Sequence, residues 1–212
     1  MKRIFIFVLK LLALFSLVIY PRFISTRIKL ICRKIYTYRK ASLFKNFGKS
    51  LIMGPFTLLR GEKYIEIGDN VTIGKNITLT AFHSRLISNQ TFNPEIIIGD
   101  GCVIGDYSHI TCINKITIGK NLLTGKNILI TDNSHGKFQY EELNIPPMER
   151  PIYSKGEVNI GNNVWIGDKA SILSGVKIGD GCIIASNTVV TKDIPSYSLV
   201  AGIPGQIIKS IP

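Results

Sequence analysis

Between Asn159 and Val190 the chain reads NIGNNVWIGDKASILSGVKIGDGCIIASNTVV, and Ile160, Ile166, Ile172, Ile178, Ile184 and Val190 fall six residues apart. A helix of 3.6 residues per turn cannot keep a six-residue spacing on one face. A strand of period two can, but it has no need of glycine on schedule. A short strand followed by a turn, repeated, satisfies both. Three such units close a triangular coil of about eighteen residues, and successive coils pair in parallel at roughly 4.8 Å. The branched residue opening each hexad then points inward and stacks on its equivalent one coil away. Gly161, Gly167 and Gly179 follow it where a Cβ would crowd the corner. Val164, Ala170, Val176, Cys182 and Thr188, each at the fifth position of its hexad, fill what interior remains.

The pattern recurs upstream. Ile67-Gly68, Ile73-Gly74 and Leu79 form one set, Ile98-Gly99, Ile104-Gly105 and Ile110 a second, and Ile118-Gly119, Thr124-Gly125 and Ile130 a third. The phase slips between Leu79 and Ile98 and between Ile110 and Ile118, which predicts loops or bulges at corners. From Ile130 to Ile160 the phase is kept, yet the intervening stretch is rich in proline and charge. It reads as an excursion over 136–157 that leaves the coil and rejoins it, the kind of long loop that often carries function. The chain is thus an all-β parallel β-helix over 65–195, with 51–64 a connection. After Pro195, residues 196–212 are expected to cap the open lower end, whose backbone would otherwise be unpaired.

Net charge is +12, and its placement matters more than its size. Residues 1–50 hold twelve Lys and Arg and no acid, the first being Glu62; the rest of the chain is neutral. Residues 4–20, IFIFVLKLLALFSLVIY, are apolar except Lys10 and Ser16. At 1.5 Å per residue they reach about 26 Å, slightly short of a bilayer core of roughly 30 Å. The next stretch mixes basic with branched and aromatic residues and suits a helix lying in a membrane interface. Residues 1–50 are therefore read as a helical membrane-associated segment, spanning or interfacial, its basic cluster on the cytoplasmic side. A helix for oligomer packing and a cleaved signal are the alternatives, although Pro21-Arg22 makes a poor cleavage site. Nucleic acid is disfavoured, because the basic residues interleave with a long apolar run. Cys32, Cys102, Cys112 and Cys182 lack metal-site spacing and read as buried free thiols.

The runs Ile160-Gly161-Asn162-Asn163-Val164-Trp165-Ile166-Gly167, Val189-Val190-Thr191-Lys192-Asp193-Ile194-Pro195 and Ala201-Gly202-Ile203-Pro204 resemble the hexapeptide-repeat acyltransferases. The likeness is greatest to the branch of maltose, nodulation-factor and colanic-acid O-acetyltransferases, and it covers about residues 65–212. It implies a left-handed β-helix, a homotrimer, and acetyl-CoA in a groove between neighbouring prisms, with no metal. It also implies a histidine that activates an acceptor hydroxyl, and the spacing from Gly119 matches His135 to that role. Asn133 and Ser134 would contact the acceptor. Asp168, Ser186, Thr191, Lys192, Gln206 and Lys209 match the positions that bind acetyl-CoA. Gln206 stands where a basic residue is common and Asp168 where glycine is common.

Histidine suits the task because its pKa lies near neutrality. Asp132 or Glu142 could orient its ring, although a turn role suits Asp132 better. His83 and His109 read as surface or loop residues. A metal enzyme of the γ-carbonic anhydrase type is disfavoured by the absence of paired H-x4-H spacing. Trp165 could pack on a neighbour or line the groove. The expected function is transfer of acetyl from acetyl-CoA to a hydroxyl of a sugar or glycolipid in surface polysaccharide synthesis, at the cytoplasmic face of the inner membrane. The alternatives are amino-sugar N-acetylation, serine O-acetylation and a catalytically silent scaffold.

Overall fold

In the computed structural model, which describes residues 2–19 and 22–211, short strands stack into three parallel sheets, one for each side of a prism. Met1, Tyr20, Pro21 and Pro212 lie outside the described residues, and with them the Pro21-Arg22 step. The register repeats from coil to coil. On the first face Ile67, Ile98, Ile118, Ile160 and Ile178 pair in succession. On the second, Met53 pairs with Ile73 and that with Ile104, and lower down Thr124, Ile166, Ile184 and Val200 continue. On the third, Leu59, Leu79, Ile110, Ile130, Ile172 and Val190 do the same. Nearly all of these side chains are buried, and so are Val164, Ala170, Val176, Cys182 and Thr188. The hexad reading therefore holds at the level of packing, and the three-sheet register is consistent with a left-handed parallel β-helix. Burying each branched side chain contributes about 1.5–3 kcal/mol. Cys102, Cys112 and Cys182 are buried free thiols as expected; Cys32 is exposed, because it stands on a helix surface rather than inside the prism.

The stacked strands begin earlier than the glycine pattern does. Asn46–Phe47, Ile52–Met53 and Phe56–Arg60 pair with the coil below, so strands occupy both the end of the segment 1–50 read as helical and the span 51–64 read as a connection. Ahead of them stand two helices, α1 (Lys2–Ile19) and α2 (Arg22–Ala41). The inward residues of α2 close the upper end of the prism. Thr37 and Ala41 are buried, and Phe44 beyond the helix joins them. The Thr37 hydroxyl accepts from the Met53 N–H at 2.8 Å, and the Tyr36 hydroxyl from the Phe56 N–H at 3.1 Å. Arg33 donates to the Ile73 carbonyl at 2.9 Å. The bonds from Met53 and Phe56 satisfy N–H groups that an uncovered first coil would leave unpaired, while Arg33 adds a second donor to a carbonyl that already accepts from the Gly54 N–H. Among the described residues no helix is long and apolar enough to cross a membrane.

Both phase slips have a structural cause. Between Leu79 and Ile98 the chain leaves the prism as a hairpin, Ser84–Arg85 antiparallel to Gln90–Thr91. Between Ile110 and Ile118 a lengthened corner holds Ile113 and Asn114, whose N–H groups donate to the buried Asp132 carboxylate at 2.9 and 2.8 Å. The expected excursion leaves through Ser134–His135 and returns through Ile152–Tyr153, the two antiparallel, with one helical turn, Tyr140–Leu143, between them. At the lower end Gln206–Ser210 folds back antiparallel on Ser198–Ala201 and extends the second face.

Candidate active site

The hairpin and the excursion leave the same edge of the prism, where the third face meets the first, and they are fastened to each other. Arg85 donates to the Arg150 carbonyl at 3.1 Å and to the Met148 carbonyl. Gln90 donates to the Ile152 carbonyl at 3.0 Å and accepts from its N–H at 2.7 Å. Together with the third face they enclose a cavity of about 830 Å³. Its walls are mostly apolar, with Leu58, Phe82, Leu86, Leu129 and Met148 prominent. A second cavity, of about 590 Å³, lies on the lower side of the excursion and is lined by Lys137, Tyr153, Lys155, Ser174 and Thr191. Lys137 stands over the Tyr153 ring, 4.8 Å from its centroid.

His135 lines the upper cavity, while Asn133 and Ser134 line both. The ring Nδ1 lies 3.2 Å from the Pro147 carbonyl, which can only accept. The tautomer protonated at Nδ1 makes that bond and leaves the Nε2 lone pair free. Arg85 Nη1 approaches the same Nδ1 at 3.5 Å. Neither carboxylate suggested by the sequence contacts the ring. Asp132 is spent on the corner at Ile113 and Asn114, and Glu142 accepts from the Lys137 N–H at 2.5 Å. A backbone carbonyl leaves no sequence signal, so Pro147 could not have been read in advance.

The Asn133 side-chain amide donates to the Thr111 carbonyl at 3.2 Å and to Asp132 at 3.0 Å, so its oxygen alone remains for a ligand. Ser134 Oγ donates to the Gly136 carbonyl at 3.1 Å. His109, expected on a surface or loop, is exposed on the strand His109–Cys112 and faces the upper cavity. Partial burial there pushes its pKa below the usual imidazole value. His83 donates from Nδ1 to the Phe92 carbonyl, 2.7 Å away, and stacks on Tyr64. Among the described residues no three His, Cys, Asp or Glu side chains converge to hold a metal ion.

Of the positions matched to acetyl-CoA binding, Thr191 joins the lower cavity. Asp168 and Ser186 occupy the corner between the second and third faces, where Asp168 accepts from the Lys126 N–H at 2.7 Å. Lys192 is exposed just past the last strand of the third face, and Gln206 and Lys209 are exposed on the terminal strand. These five line neither cavity beside His135.

Two family models match the coils. Residues 157–192 match the bacterial transferase hexapeptide (six repeats), and residues 65–81 match the hexapeptide repeat of succinyl-transferase. A protein of Escherichia coli K12 named for O-acetyl transfer in lipopolysaccharide biosynthesis, WbbJ, is 35% identical over 155 residues, covering 71% of this chain and 74% of that protein. The chain belongs to the hexapeptide-repeat acetyltransferase family. It is an acetyltransferase. The galactoside O-acetyltransferase of the same bacterium is 31% identical over 153 residues, covering 70% of this chain and 58% of the relative. A hexapeptide-repeat acetyltransferase of Vibrio cholerae, solved with acetyl coenzyme A, shares the fold with a TM-score of 0.53 and 23% identity over 91% of each chain.

Proposed function

We propose that this acetyltransferase moves acetyl from acetyl-CoA to a hydroxyl of a sugar or glycolipid acceptor, with His135 as general base. The observation that carries the reading is the Pro147 carbonyl at His135 Nδ1, beside a cavity large enough for an acceptor. Nε2 takes the hydroxyl proton as the oxygen attacks the thioester carbonyl. The tetrahedral intermediate then expels the CoA sulfur, which receives that proton. The thioester approaches from the lower cavity past Thr191, and the acceptor occupies the upper one, so Asn133 and Ser134 stand between the two reactants. Asp168, Ser186, Lys192, Gln206 and Lys209 hold the remainder of the coenzyme, the two lysines as point charges on its phosphates.

The enzyme works as a homotrimer. In support, Val103, Leu123, Trp165 and Ile183 stack in register on the outside of the second face as an exposed apolar column. The relatives named for lipopolysaccharide and galactoside O-acetylation favour a saccharide acceptor. The basic, apolar residues 1–50 hold the enzyme at the cytoplasmic face of the inner membrane, in surface polysaccharide synthesis.

His135→Ala is the direct test. CoA release against a saccharide panel is expected to fall by about 10²–10⁴, the usual range for general-base help, with the oligomer unchanged in ultracentrifugation. Undiminished release in a properly assembled variant would remove His135 from the chemistry.

A further inference from the structure

The wall chemistry of the upper cavity bears on which acceptor enters it. A saccharide offers hydroxyls, and a site built for a bare sugar surrounds it with hydrogen-bonding side chains. Leu58, Phe82, Leu86, Ile87, Leu129 and Met148 do the opposite here. Several polar groups nearby are already engaged: Arg85 by the Met148 and Arg150 carbonyls, Asn133 by Thr111 and Asp132, Thr131 by the Asn133 carbonyl and Ser134 by the Gly136 carbonyl, whereas the buried Thr80 hydroxyl has no partner among the described residues and is left for a sugar hydroxyl. Leu86 and Ile87, at the hairpin tip, are 94% and 59% exposed, an arrangement water does not favour.

The cavity also has a direction. His135 leaves from the coil of Leu129–Thr131, and above it stand His109, then Thr78 and Thr80, then Leu58 on successive coils of the third face. Three coil steps of roughly 4.8 Å amount to about 14 Å. The far end, at Leu58, belongs to the coil that α2 covers. The outward face of α2 carries Ile28, Ile31, Ile35 and Tyr38, all exposed, between Arg27, Lys34 and Arg39. A channel with Leu129, Leu86, Phe82 and Leu58 on its walls, and His109, Thr78 and Thr80 along the third face between them, thus runs from the candidate base to the end of the prism that bears the basic, apolar helix.

We infer that the acceptor is a saccharide carried on an apolar chain, and that the chain itself lies in this channel along Leu129, Leu86 and Leu58 while the sugar hydroxyl reaches His135. The inference rests on the O-acetylation reading above and adds to it the part of the substrate that gives affinity.

The test uses the full-length enzyme in non-ionic detergent and compares one saccharide in two forms, free and as its octyl glycoside. CoA release is expected to show a kcat/KM at least about tenfold higher for the octyl form, since several buried methylenes favour it. Simple enrichment at the micelle surface would give the same preference, so Leu58→Gln and the fully exposed Leu86→Gln are measured as well. Either is expected to reduce the octyl-to-free ratio severalfold, a ratio that needs no assumption about the amount of folded enzyme. Equal kcat/KM for the two forms would overturn the inference and leave O-acetylation standing. So would a preference that neither variant alters, or a channel filled by a neighbouring copy. Failure of both forms, with no dependence on His135, would instead count against the O-acetylation reading itself.

Discussion

Lys169 is held with φ at 59°, in the left-handed region that β-carbon sterics disfavour. Its equivalents one coil above and below are Asn127 and Asn187, with φ of 56° and 60°. Asparagine tolerates that region through its short polar side chain, and lysine has no such compensation. Lys169→Asn is therefore expected to raise stability by about 0.5–1 kcal/mol, read as a higher urea midpoint; an unchanged or lower midpoint would refute the argument. The same corners explain a regularity that a reading centred on inward residues passes over. Ile73-Gly-Lys-Asn76, Ile118-Gly-Lys-Asn121 and Ile160-Gly-Asn-Asn163 place asparagine where the chain turns left-handed. Asn121 donates to Asn163 at 3.0 Å across coils. The inward isoleucines were legible because burial imposes a period. The ring partner of His135 was not, because a carbonyl has no residue type.

Along the first face, charge joins coils that hydrophobic stacking already holds. Lys45 pairs with Glu66 at 2.6 Å and with Glu95 at 3.4 Å, and Glu95 pairs with Lys115 at 2.8 Å. The hydrogen bond from Lys115 holds the Glu95 carboxyl below its ordinary value of 4.5. A carboxylate whose folded pKa is depressed stabilises the fold above its unfolded pKa, and that stabilisation is lost as pH falls through the lower folded value. Glu95→Gln should thus cost less than about 1 kcal/mol at neutral pH, given solvent screening, and nothing once the wild-type carboxyl is protonated. Paired denaturation curves at neutral and strongly acidic pH check this, and a difference that persists in acid would disprove it. These strands were legible from spacing alone. The hairpin at Ser84–Arg85 showed only as a slipped phase, since two turns of polar residues look the same whether they stay at a corner or leave the prism. Its fastening to the excursion through Arg85 and Gln90 is a contact across more than sixty residues, outside the reach of any local pattern.

For the molecule as a whole, α2 serves two masters, and the sequence reading saw one. Its outward positions are apolar and basic, while Thr37 and Ala41, on the opposite side, close the prism with Phe44. A small hydroxyl and an alanine among basic residues carry little hydrophobic signal, so the covering role stayed hidden behind the charge. The division predicts separable effects. A variant lacking residues 2–19 and carrying Ile31→Asn and Ile35→Asn keeps Thr37, Ala41 and Phe44, and should melt as the full chain does. Its sedimentation with anionic vesicles should drop severalfold, because apolar area is lost. What binding remains should vanish with added salt, since each basic residue near an anionic surface is worth only about 1 kcal/mol. Truncation through residue 50 removes the cover and the strand Asn46–Phe47 as well, which exposes the edge of Ile52–Met53 and Ile65–Ile67. That form should melt earlier and self-associate through the bared backbone. Equal vesicle binding by the full chain and the first variant, at low and high salt alike, would mean that the outward face of α2 does not meet a membrane.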